Sequence, residues 1–389
     1  MRVYFDHNAT TPVAPPVAEL MTRVLTDEFG NASSIHRFGQ RAKAVLDDAR
    51  TAVADLIKAD PSEVVFTSGG TEADNFALRG VAEALDSGAT GRRHLIASSI
   101  EHEAVLNTLK ALARRGWTTT LLPVDATGIV APAALEAALT DKTALVSVMH
   151  ANNEIGTIQP IAELAALAHA RGVLFHTDAV QSVAKIAVDT RALGVDLLSL
   201  SAHKFNGPKG AGALWIKRGT RIAAILTGGK HERNRRAGTE NVPAIAGLGA
   251  AATLAGGKLA SDAARLSALR DRLEREILAR VPQTAVNGAP DRRVPNTTNI
   301  SFEGVEAESL LIALDLEGIA VSTGSACSSG TLEPSHVLRA MGLSTHRTQN
   351  SIRLSLGAGN TDAEIDYLLE KLPRVVEKLR ALTRTAQVR

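Results

Sequence analysis

Three stretches of this 389-residue chain place chemically able side chains directly behind apolar runs. Lys204 follows Leu197–Ser201 and precedes the turn Asn206-Gly-Pro-Lys-Gly210. A lysine partly desolvated at such a place has a lowered pKa and can form a Schiff base; standing alone it reads equally as an exposed loop lysine. Asp178, in Phe175-His-Thr-Asp-Ala-Val-Gln181, follows a second apolar run. A carboxylate there can cap a helix or keep a pyridinium nitrogen protonated. In Val64-Val-Phe-Thr-Ser-Gly-Gly-Thr71 a third run meets two glycines and a helix start. Converging N–H groups and the helix dipole make a phosphate cup there, or Thr71 is a plain cap. It has neither the Walker ending nor the G-x-G-x-x-G spacing.

The single cysteine, Cys327, lies in the small polar stretch Ser322-Thr-Gly-Ser-Ala-Cys-Ser-Ser-Gly330. Buried structural cysteines have apolar neighbours, so this thiol is either incidental or a reactive group on a wet loop. One cysteine excludes an intrachain disulfide and a four-thiolate metal or iron–sulfur site.

The elements that must position these groups follow a βα alternation, with candidate strands at 63–67, 94–98, 118–123, 144–149, 173–177, 197–201 and 213–217. Between them lie helical patterns such as Ile161–Ala170, so the expectation is an α/β fold with a mainly parallel, seven-stranded sheet. In such sheets ligands bind at the carboxyl edge. The alternation ends near residue 257. An amphipathic stretch, Ala264–Arg280, and a mixture of strands (299–302, 319–322, 351–355) and helices follow. The expected division is a large domain over 15–257 and a smaller α+β domain over 1–14 and 258–389 carrying the cysteine loop.

Lys plus Arg is 43 against 41 Asp plus Glu, and no basic run rises above a solvated face, which argues against nucleic acid. No window reads as apolar enough to span a bilayer, and the N-terminus lacks a secretory core. The cytoplasm is the expected compartment.

The chain resembles the cysteine desulfurases of the NifS/IscS group, within the class V aminotransferase family of pyridoxal phosphate enzymes. The resemblance runs from Tyr4-Phe-Asp-His-Asn-Ala-Thr-Thr11 to Ile352-Arg-Leu-Ser-Leu-Gly357. It is anchored by Thr67-Ser-Gly-Gly-Thr-Glu72, Asn152-Asn-Glu-Ile-Gly156, Ser201-Ala-His-Lys204, Arg236-Ala-Gly-Thr-Glu-Asn241, Gly324-Ser-Ala-Cys327 and Leu332-Glu-Pro-Ser-His-Val337. It implies a fold-type I architecture and a homodimer, with pyridoxal 5'-phosphate held by Lys204. Gly70, Thr71, Ser201 and His203 would hold the phosphate, joined by Thr239 from the neighbouring subunit. Asp178 would pair with the ring nitrogen, while Gln181 and Asn153 would bond the ring oxygen and carboxylate side. His102, by itself a surface loop histidine, would stack on the ring and act as an acid–base group. Arg353, by itself a strand-face arginine, would clamp the substrate carboxylate.

The implied reaction converts L-cysteine to L-alanine and leaves a persulfide on Cys327 for an iron–sulfur scaffold or other acceptor protein. Cys327 would also be a transient, shared iron–sulfur ligand. Housekeeping members of the group have a longer C-terminal tail, and the ending here, Thr385-Ala-Gln-Val-Arg389, leans toward the nitrogen-fixation type. A class V aminotransferase or a selenocysteine lyase would share the lysine and the cup, but the aminotransferase does not need Cys327. A non-catalytic sulfur carrier would be expected to lose Lys204 or Arg353.

Overall fold

The computed structural model describes residues 1–86, 91–324 and 334–387, with side chains through 382. After a short N-terminal strand, β1 (Val3–Tyr4), seven strands form one sheet: β2 (Val64–Thr67), β3 (His94–Ser98), β4 (Thr118–Leu122), β5 (Thr143–Ser147), β6 (Leu174–Asp178), β7 (Leu197–Ser201) and β8 (Gly212–Ile216). Their order is β2-β8-β7-β6-β5-β3-β4. All contacts are parallel except those of β8, which runs antiparallel to β2 and β7. Every residue of β3, β5 and β7 is buried, as a sheet covered by helices on both faces requires. β4 is the edge, and its threonines face solvent or sit half-buried.

The strand positions agree with the sequence to within one or two residues. The one chemical difference is Glu63, which closes a 3₁₀ turn (Pro61–Glu63) instead of opening β2. Its carboxylate accepts from the Trp215 indole at 3.0 Å, and Asp60 completes a capping box around the turn.

The expected amphipathic helix at 264–280 is the second half of one continuous helix, Val242–Arg280. Asn241 caps it, accepting from the Ala244 amide at 3.2 Å. Its first part packs in the core beneath the large sheet, while Leu266, Leu269, Leu273 and Ile277 belong to a second core. Gly249 permits the close crossing with helix Arg37–Leu56, because a Cβ there would lie 2.5 Å from the Ala49 Cα. This helix corrects one sequence expectation. Among the described residues it alone is long and apolar enough to cross a membrane, with a mean hydropathy of 1.3, but half of that window is buried in the protein.

The second core underlies an antiparallel sheet of β9 (Thr284–Asn287), β10 (Thr297–Phe302) and β12 (Ser351–Ser355), with β10 central. β9, half-buried and only four residues long, has no strong sequence signal. β11 (Ile319–Ala320) is shorter than expected and pairs in parallel with β1. The N-terminal segment is thereby tied to the C-terminal core, which contains Val3 and Phe5. Asp6 bridges to Ser355, so residues 6–10 pass directly over the carboxyl edge of the large sheet.

Candidate active site

A cavity of about 370 Å³ opens at that edge. Gly70 and Thr71 follow β2, His102 follows β3, Asn153 follows β5, Asp178 ends β6, and Ser201, His203 and Lys204 end or follow β7. Gln181 and Arg353 complete the wall. All the site residues expected from sequence therefore converge here except two. Thr239 is exposed and does not line this cavity. Cys327 lies outside the described residues, although Ser322 and Gly324, just before it, line the cavity.

Lys204 sits in a 3₁₀ turn (Ala202–Lys204) and is half-buried. Its Nζ donates to the carbonyls of Asn8 at 2.7 Å and Ala9 at 2.8 Å. Burial, reinforced by the Arg353 charge, brings its pKa down to about 8, against the opposing pull of Asp178 and Asp6. A substantial fraction is thus the neutral amine near pH 8, the form that is nucleophilic.

Burial pushes the Asp178 pKa up, while His102, the Val180 amide and Lys204 favour its charged form. Its carboxylate accepts from the Val180 N–H at 2.9 Å. Two further acids lie beneath it. Burial and the Asp178 charge push Asp74 well above the carboxylate range, and burial pushes Glu101 up to about 8. Glu101 therefore holds a proton at neutral pH, and burial disfavours the charged form of Asp74, which lessens the acid charge beside Asp178.

His102 caps helix Glu103–Ala113: its Nδ1 accepts from the Ala104 amide at 3.1 Å, so a neutral ring carries its proton on Nε2. His203 is held neutral, its pKa brought down to about 4 by burial and then by Lys204. The Arg353 guanidinium is buried; Nη2 pairs with Asp6 at 2.6 Å and Nη1 donates to the Asn153 carbonyl at 2.9 Å. Its Nε finds no protein acceptor.

The cup fits a phosphorylated pyridine aldehyde. The Ser201 hydroxyl is buried without a protein partner. At Gly70 a Cβ would come within 2.8 Å of Val180 Cγ2, so glycine keeps this wall of the cup clear at the start of helix Gly70–Asp86, where an anion is favoured. Glu72, in that first turn, is neutralised by Arg236 at 2.7 Å, which keeps its charge from opposing a phosphate. The donors and the neutralisable amine suit pyridoxal phosphate.

Sequence reasoning missed Asn8, Asp6 and Lys185. Asn8 donates from Nδ2 to Asn153 and Thr297, and its carbonyl accepts from both Gln181 and Lys204. Its place in Asp6-His-Asn-Ala-Thr-Thr11, a stretch that opens the family resemblance, is the signal that could have found it. Among the described residues no cluster of ligating side chains could hold a metal ion.

The aminotransferase class-V family model matches residues 3–368. The chain belongs to that family, within its cysteine desulfurase branch. The cysteine desulfurase IscS of Methanosarcina thermophila is 49% identical over 382 residues, covering 98% of this chain and 93% of the relative. A solved NifS-like protein superposes with a TM-score of 0.91 at 38% identity, covering 97% of this chain and 100% of the other. SspA, solved in complex with cysteine, superposes with a TM-score of 0.80 at 34% identity over 93% of this chain and 100% of its own.

Proposed function

We propose that the chain is a pyridoxal phosphate-dependent cysteine desulfurase that converts L-cysteine to L-alanine and leaves a persulfide on Cys327. The observation that carries this reading is Lys204, an amine with its pKa near 8, opening on the same cavity as Asp178, the unpartnered Ser201 hydroxyl and Arg353. When bound there, the cofactor supplies an electron sink for the α-carbon of an amino acid.

The chain's own residues supply the rest. Lys204 would hold the cofactor covalently, and its free amine would carry the α-proton. Asp178, whose proton affinity burial raises, would share a proton with the ring nitrogen. Gly70, Thr71, Ser201 and His203 would hold the phosphate, Gln181 would bond the ring oxygen, and Asn153 and Arg353 would receive the substrate carboxylate. His102 presents Nε2–H as the acid–base group. At Cys327 the net change balances: the C–S bond of the substrate breaks, an S–S bond forms, and the carbon fragment keeps the electron pair and gains the proton the thiol gives up.

The same reading makes the enzyme a homodimer, in which Thr239 of the partner subunit reaches the phosphate. Its large domain spans 15–257, and its smaller domain spans 1–14 and 258–389. It places the protein in the cytoplasm, with a cysteine-bearing acceptor protein as its partner and Cys327 as a shared iron–sulfur ligand at most transiently. The test is alanine release from L-cysteine. Wild type should form alanine and Lys204→Ala should form none and show no bound-cofactor band; alanine from Lys204→Ala would sink the assignment.

A further inference from the structure

A second lysine lies one hydrogen-bonded step from the first. Lys185 is buried, with 8% of its surface exposed, and its Nζ donates to two amide oxygens: Gln181 Oε1 at 2.5 Å and Asn8 Oδ1 at 2.8 Å. Burial, followed by the charges of Lys204 and Arg353, holds its pKa well below that of an ordinary lysine.

Which end of each amide is oxygen follows from its other partners. The far end of Gln181 lies 2.9 Å from the Asn8 carbonyl, which can only accept, so that end is the NH2. The far end of Asn8 likewise lies 3.1 Å from the Asn153 carbonyl. Both oxygens therefore face Lys185, and the contacts close a ring through the Asn8 main chain: Lys185 donates to the Gln181 and Asn8 side-chain oxygens, and the Gln181 NH2 donates to the Asn8 backbone carbonyl. The Asn8 carbonyl in this ring also accepts from Lys204 Nζ. Asn8 Oδ1 also accepts from Asn296 Nδ2 at 3.1 Å, so removing Lys185 takes the donor chiefly from Gln181 Oε1.

We propose that Lys185 is a positioning residue for the cofactor pocket: the hydrogen bond it donates to Oε1, together with the Asn8 carbonyl on the other end, holds the Gln181 amide so that it offers an N–H, not a carbonyl, to the cavity. This rests on the reading of the cavity as a pyridoxal phosphate site. Lys185 touches no reacting atom and acts through Gln181 and Asn8.

The test is a double-mutant cycle on cofactor affinity, using Lys185→Met, Gln181→Leu and the double variant. The cofactor is stripped, and pyridoxal phosphate is titrated back by absorbance. Methionine keeps the volume of the lysine side chain but leaves Gln181 Oε1 without its donor, which costs some folding stability. Lys185→Met should weaken the cofactor Kd by about three- to tenfold, as the loss of an oriented donor implies. The stripped protein should still melt cooperatively, and the drop in melting temperature should be smaller on the Gln181→Leu background, where no oxygen is left unpaired at residue 181. On the Gln181→Leu background the Lys185→Met effect should largely disappear, because the two act as a unit. An unchanged Kd in Lys185→Met, or an undiminished loss added to that of Gln181→Leu, overturns the proposal. If wild type itself takes up no cofactor, it is the cofactor reading that fails. Should Lys185→Met not fold, Lys185→Gln carries the same cycle under the same criteria.

Discussion

Arg353 on β12, buried, and Asp6 in the N-terminal segment, partly buried, form an ion pair 2.6 Å apart, and both charges act on Lys204. Arg353 lowers the proton affinity of that amine, while Asp6 raises it. The pair joins the two ends of the chain at the substrate side of the cavity. Asp6 neutralises part of the guanidinium charge but leaves donors over, including the unpartnered Nε.

Arg353→Lys keeps the charge and loses the planar fork. The KM for L-cysteine should rise by about tenfold or more, with kcat affected less, because a point charge cannot bind a carboxylate at two donors. Steady-state alanine assays across a cysteine series measure this split. An unchanged KM would remove Arg353 from the carboxylate site.

Cofactor uptake by the stripped protein should depend on pH with a midpoint near 8, since only the neutral Lys204 amine attacks an aldehyde. Asp6→Asn should move that midpoint down, because a charge that favours protonated Lys204 is lost. Arg353→Met should move it up, because the opposing cation is lost. Stopped-flow absorbance across a pH series reads both shifts. Midpoints that stay at the ordinary lysine value would contradict the desolvated amine.

Glu101 is fully buried and its pKa is raised to about 8, so the folded protein holds a proton there that the unfolded chain releases at lower pH. Its contribution to stability is fully present below the ordinary carboxylate pKa and is lost as pH rises toward 8. Glu101→Gln removes the cost of charging this site. It should gain at least about 1 kcal/mol relative to wild type between pH 5 and pH 8, the sign set by one or more units of upward shift. Thermal melts at the two pH values test it; a wild-type-like difference would place the charge elsewhere.

What the sequence revealed, and what it concealed, follows from how each residue reaches the cavity. Lys204, Asp178 and Gly70 were legible because each stands directly after a buried strand, so local pattern and sheet topology together place them at one edge. The bonds that tie Asn8 to Gln181, Lys185 and Lys204 join residues more than 170 apart in sequence, and no local spacing announces them. The helix Val242–Arg280 was read as two regimes because its buried face changes core partway along, although the backbone runs through without a break. Thr239, exposed on this chain, has a role only if a second copy supplies one.

The central claim is that sulfur passes through Cys327, and mass spectrometry after treatment with L-cysteine tests it most directly. With a single cysteine in the chain, no second thiol can resolve a persulfide into an intrachain disulfide or relay it onward. The protein should gain one sulfur on Cys327, stall near that stoichiometry, and resume turnover when a thiol acceptor is added. Cys327→Ser should still take up cofactor and gain no sulfur, because a hydroxyl is a far poorer nucleophile toward sulfur than a thiolate. Sustained sulfide release by Cys327→Ser, or sulfur found elsewhere on the wild-type chain, would contradict the proposed route.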